Sequence, residues 1–131
     1  MLRLPRSIRI FAATAPVNPG MSIDGLVQIV RDGFGEDPFT GNLFCFFNRR
    51  RDRAKLLVWD RNGFWVLSKR LERGRFEPVI GSSRVVEIDR EQMVMLLSGI
   101  DTRTSRFRRH FAREVRISPR DDDARPARAA Q

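Results

Sequence analysis

The strongest constraint in this chain is a hairpin signal. Ala54 to Lys69 holds two apolar runs flanking Asp60-Arg61-Asn62-Gly63, with Gly63 placed to supply the positive φ of a tight turn. Two registers fit. A two-residue Asn62-Gly63 loop pairs Trp59 with Val66. A three-residue loop with Gly63 in the bulge position pairs Trp59 with Trp65, Val58 with Val66 and Leu57 with Leu67. The second is preferred, because it sets like-sized apolar residues opposite one another, and it places Lys55 opposite Lys69.

In an antiparallel pair the start of the first strand lies beside the end of the second. The hairpin therefore gathers Arg49, Arg50, Arg51, Arg53 and Lys55 next to Lys69, Arg70, Arg73 and Arg75. Charge has the same distribution. Residues 49–75 carry 10 basic and 3 acidic side chains, and residues 103–131 carry 9 and 4, within a chain of net charge +9. Residues 1–48 balance, and 76–102 are acidic. Such blocks call for an anionic partner and leave the fold open.

The remaining elements are shorter. Ser7 to Ala12 reads as a strand with Ile8 and Ile10 alternating against Arg9 and Phe11. Ser22 N-caps a helix whose apolar face is Ile23, Leu26, Val27, Val30 and Phe34, ended by Gly33 and Gly35. Leu43 to Phe47 is a strand, and Arg84 to Ile88 another. Asp89 and Gln92 form a capping box for a helix buried through Met93, Leu96, Leu97 and Ile100, with Gly99 at its end. The expected fold is α+β: an antiparallel sheet of about five strands with two helices on one face. It occupies residues 1–102. Residues 103–131 read as a basic helical segment and a disordered tail, with Phe107, Phe111 and Val115 in line and Arg106, Arg108, Arg109 and Arg113 as a secondary basic patch.

With 131 residues the chain suits one small domain. One Cys and one His exclude an intrachain disulfide and the usual zinc ligand sets. No apolar run exceeds five residues, so no membrane partner and a cytoplasmic location are expected. Asp24, Asp60, Glu72, Glu87 and Asp89 each have a local structural task, which leaves no carboxylate set for Mg²⁺. Cys45 sits in an apolar strand, His110 among arginines, and no phosphate-binding glycine loop is present. No catalytic residues and no cofactor are expected.

Two readings of the arginine cluster stand side by side: phosphate contact, and a solvated sheet edge that resists aggregation. Phe44, Phe46, Phe47, Trp59, Phe64 and Trp65 offer either a base-stacking platform or, more in keeping with their alternation, core. Segment 104–117 suits a nucleic-acid groove, an anionic surface, a partner, or docking onto its own domain.

Leu43 to Asp60, with Phe44-Cys45-Phe46-Phe47-Asn48-Arg49-Arg50-Arg51 at its centre, resembles the signature of a known family. Gly63-Phe64-Trp65 and Lys69-Arg70-Leu71-Glu72-Arg73-Gly74-Arg75-Phe76 continue it. Asp37-Pro38-Phe39-Thr40-Gly41 precedes it, and Leu96-Leu97-Ser98-Gly99-Ile100-Asp101 comes after. The family is the accessory protein called TnpB, from the second reading frame of bacterial insertion sequences of family sixty-six, distinct from the RNA-guided nuclease of that name. The resemblance covers about residues 3–101. Where the family usually carries an Asp-Met-Arg-Lys-like stretch, this chain has Asn18-Pro19-Gly20-Met21. The resemblance implies a role in transposition beside a separate transposase. Joined to the arginine blocks, it leads to the expectation of a non-catalytic DNA-binding accessory protein, with a transposase adaptor that makes no DNA contact as the alternative.

Overall fold

A computed structural model describes residues 7–100 of the chain. The basic segment with Arg106, Arg108, Arg109 and Arg113 lies outside the described residues. In chain order the elements are β1 (Ile10–Ala13), α1 (Ile23–Gln28) running on into a π-helical turn (Ile29–Gly33), β2 (Leu43–Phe47), β3 (Arg53–Asp60), β4 (Gly63–Arg70), β5 (Val85–Ile88) and α2 (Arg90–Ser98). The strands form one five-stranded sheet in the order β4-β3-β2-β1-β5. All neighbours are antiparallel except β1 and β2, where Phe11 lies opposite Phe44 in parallel register. That exception arises from α1, which carries the chain back across the sheet before β2 begins, as a parallel crossover requires.

The helices start as the sequence predicts. Ser22 Oγ accepts from Gly25 N at 3.2 Å, and Asp24 sits in the first turn of α1. At α2, Asp89 Oδ1 accepts from Gln92 N at 2.7 Å while Gln92 Oε1 accepts from Asp89 N at 2.8 Å. Gly99 ends this helix at φ 78°, where a Cβ would come within 2.8 Å of Leu71 Cδ1.

The expectation of both helices on one face is corrected. Leu26, Val27 and Val30 of the first helix pack on Phe11, Ala13, Phe44, Phe46 and Leu57. Leu96 of α2, with Met93 and Leu97, packs on the other face against Ile10, Ala12, Leu43, Cys45, Phe47, Ala54 and Val58. Side chains alternate across a strand, and β2 is apolar at all five positions, so both of its faces must be covered. The segment after β4 crosses the α2 face too, contributing Phe76, Leu71 and Val79 to its core.

The hairpin register also differs from both expected ones. Trp59 pairs with Phe64, Leu57 with Val66 and Lys55 with Ser68, around a two-residue Arg61-Asn62 loop. Arg61, at φ 60°, takes the left-handed position expected of Gly63. Two gains accompany this register. Trp59 meets Phe64 edge-on at 4.9 Å and Phe39 at 5.0 Å, and Lys55 no longer faces Lys69. Phe44, Phe46 and Phe47 are core, as the alternation suggested, whereas Trp65 is half exposed.

Candidate nucleic-acid interface

The β2–β3 loop is built around Asn48. This side chain is buried, and its Oδ1 accepts from Asp52 N and Arg53 N, each at 3.0 Å. Its Nδ2 donates to Asp52 Oδ1 at 2.7 Å. The backbone closes the same loop, with Arg51 N donating to Asn48 O and Asn48 N to Arg53 O. Arg51 holds φ 59°, a left-handed backbone that costs a non-glycine residue about 1–2 kcal/mol and therefore needs such a frame. The hydrogen bond from Asn48 holds the Asp52 carboxyl below the usual carboxylate range, and Arg50 and Arg53 act in the same direction.

The segment after β4 is bonded directly to this loop. Leu71 N donates to Asp52 O at 2.8 Å, and Phe76 N donates to Arg51 O at 2.7 Å. Arg53 lies opposite Arg70 in the ladder. Residues 49–53 and 70–75 thus share one end of the hairpin, as the antiparallel geometry predicts. The far side of the segment is pinned as well, by the exchange of bonds between Arg75 and Ile100.

Within this shared end the nine predicted residues have different roles. Arg49, Arg53, Arg73 and Arg75 are exposed, and their side chains bond no other described residue. Arg50 is exposed and only loosely paired with Asp52, at 4.0 Å. Arg70 is exposed but bound to Glu72 at 3.0 Å, which softens its opposition to Arg53. Arg51 faces inward: its Nε donates to Phe76 O at 3.1 Å, and burial, then the Arg75 charge, lower its pKa. Lys55 donates to Met21 O at 3.1 Å, and Lys69 to Leu97 O at 2.7 Å near the end of α2. These two lysines leave opposite faces of the sheet, because the observed register puts them at positions of opposite parity.

Asn48 was not among the predicted site residues. Its signal in the sequence is an Asn between an apolar strand and an arginine run, where a short amide can bond the backbone a few residues on. Among the described residues no aromatic ring is exposed beside the arginines, since Phe47 and Phe76 are buried beneath them. The exposed rings among the described residues are Trp65, on β4, and Phe39, which packs from the loop before β2 onto Trp59 and Phe64 near the hairpin turn. Among the described residues, no group of three or more His, Cys, Asp or Glu side chains is placed to hold a metal ion. No described helix is long and apolar enough to cross a membrane. Burial pushes the Cys45 thiol up to about 12, out of reach of nucleophilic chemistry at neutral pH.

An arginine-bearing hairpin end on a sheet covered by helices on both faces defines a small α+β protein with a strongly basic surface at one end. The chain belongs to the family described as IS66 Orf2 like protein, whose model matches residues 8–107. That family makes it an insertion-sequence-associated protein, accessory to transposition. Two curated relatives come from Sinorhizobium fredii (strain NBRC 101917 / NGR234). "Uncharacterized protein y4jC" is 33% identical over 107 residues, covering 81% of this chain and 92% of its own length. "Uncharacterized protein y4hO" is 32% identical over 103 residues, covering 79% and 90% respectively. No solved structure gives a significant match.

Proposed function

We propose that this protein is a non-catalytic DNA-binding accessory factor for transposition, gripping duplex phosphates through Arg49, Arg50, Arg53, Arg73 and Arg75. The observation that carries the reading is the direct bonding of the β2–β3 loop to the segment after β4, which gathers these exposed guanidinium groups around a rigid backbone. Arginine contacts to phosphate position a protein on DNA without reading its sequence, and counterion release drives them. Lys55, Lys69 and Arg51 are engaged with backbone carbonyls and act as supports. Single-strand binders add exposed rings on which bases stack. Among the described residues the arginine end offers none, which favours a duplex.

The test is fluorescence anisotropy with a random-sequence duplex, the matching single strand and an RNA duplex. Reversing Arg49, Arg50, Arg73 and Arg75 to Glu abolishes duplex binding in this account, while Lys55→Gln with Lys69→Gln lowers it less than about threefold. Equal affinity of wild type and charge-reversed protein would refute the assignment. Wild-type protein that ignores DNA yet captures the element's transposase after nuclease treatment would establish the adaptor reading instead.

A further inference from the structure

We propose that β4 is a homodimerisation edge, pairing antiparallel with β4 of a second copy about a two-fold axis at Leu67. Among the described residues no strand lies beyond β4. The ladder fixes the direction of its free hydrogen-bonding groups. Asn48 N donates to Arg53 O, so Arg53, Lys55 and Leu57 bond toward β2, and the alternate residues Ala54, Leu56 and Val58 bond toward β4. Their partners there are Lys69, Leu67 and Trp65. The bond from Leu71 N to Asp52 O keeps the same alternation. Hence Phe64, Val66, Ser68 and Arg70 turn their N–H and C=O groups to the open edge.

This edge lacks the usual protections. From Gly63 to Ser68 it has no charge, no proline and no bulge, and it exposes Trp65 (48%) and Leu67 (40%) on one face. The opposite edge, β5, is half as long and carries the Arg9–Glu87 ion pair at 2.8 Å.

The second copy is favoured because the edge complements itself. Centred on Leu67, antiparallel pairing sets Phe64 against Arg70 of the other copy and Val66 against Ser68, so all four outward residues are bonded. The same register sets Trp65 against Lys69 and Leu67 against Leu67. Each cation then meets an aromatic ring, an attractive arrangement. A parallel pairing would stack Lys69 and Arg70 on their own copies. The axis is isologous and closes at two chains.

The proposal is independent of DNA binding and is tested without nucleic acid. In sedimentation velocity the full chain runs at twice its 15.2 kDa mass at high micromolar concentration. Ser68→Pro removes one outward N–H and leaves β3 pairing intact, so it sediments as a monomer with an unchanged far-ultraviolet spectrum. Leu67 faces its own copy at a non-hydrogen-bonded position, with Cα atoms about 4.5 Å apart. Leu67→Cys therefore forms a disulfide-linked dimer under oxidised glutathione, since that spacing lies in the ~4.4–6.8 Å range of disulfides, whereas Arg61→Cys does not. A wild-type monomer across the whole range, or a Leu67→Cys chain that stays monomeric, would overturn the proposal. A monomer whose Phe64, Val66 and Ser68 amides resist hydrogen exchange would overturn it also, by giving the edge to residues 101–131 of the same chain.

Discussion

Replacing Asn48 by alanine removes the side chain around which the arginine loop is folded. Two backbone donors, Asp52 N and Arg53 N, lose an acceptor at 3.0 Å, and Asp52 Oδ1 loses a donor at 2.7 Å. A hydrogen bond contributes about 1 kcal/mol net, so the two bonds at Oδ1 set a loss of about 2 kcal/mol. The Nδ2 contact adds to it in the same direction. For a domain of this size 1 kcal/mol moves the midpoint by about 4–8 °C, so Asn48→Ala melts about 8–16 °C lower. Thermal unfolding monitored by circular dichroism, with urea titration alongside, measures both quantities. Asn48→Asp gives the internal control. It keeps the acceptor but sets a second carboxylate against Asp52, so it is destabilised at neutral pH and recovers toward wild type as acid protonates the pair. The charge of the patch is unchanged in Asn48→Ala, so weaker duplex binding, by about fivefold, reports the cost of ordering a loosened loop. A midpoint within about 2 °C of wild type would refute the claim that Asn48 builds the loop.

Acidification tests the Asp52 pairing by itself. A carboxylate whose pKa is lowered on folding stabilises fully above its unfolded pKa and loses that contribution as pH falls through the lowered one, so acid denaturant titrations of wild type lose more stability than those of Asp52→Asn. Arg61→Gly relieves the left-handed turn residue at φ 60° and raises stability in denaturant titrations, by about 1 kcal/mol at most once the greater unfolded entropy of glycine is counted. Gly99→Ala strains a position at φ 78° and drives a methyl onto Leu71, lowering stability by about 1–2 kcal/mol in the same assay. Cys45 reacts with a thiol reagent at pH 8 only in denaturant, and labelling of the native chain would contradict its burial.

Local chemistry made most elements legible. Ser22, and Asp89 with Gln92, mark helix starts through backbone N–H groups that any helix must satisfy, and the structure uses both in that way, while Gly99 ends α2 at a positive φ. The convergence of the arginine segments was legible too, because it depends only on β3 and β4 being antiparallel. Register was not. Leu56-Leu57-Val58-Trp59 is apolar at consecutive positions, so sliding by one residue exposes no obvious error. The deciding contacts lie elsewhere in the chain: Phe39 packing on Trp59 and Phe64, and Met21 O and Leu97 O receiving the two lysines on opposite faces. The placement of the helices carried a readable warning in Leu43 to Phe47. Five apolar positions in a row describe a strand covered on both sides, not one facing water. The division of labour among the arginines had no sequence signal, since the inward turn of Arg51 depends on its φ and on the position of Phe76 O.

The salt dependence of duplex binding probes the arginine patch most directly. With about five phosphates neutralised, log K falls against log salt with a slope near −4 to −5. Single substitutions of Arg49, Arg50, Arg53, Arg73 or Arg75 by Gln each reduce the slope by about 1, and Lys55→Gln and Lys69→Gln leave it in place. A slope that is flat in wild type, or that responds to the two lysines and not to the five arginines, would contradict the account.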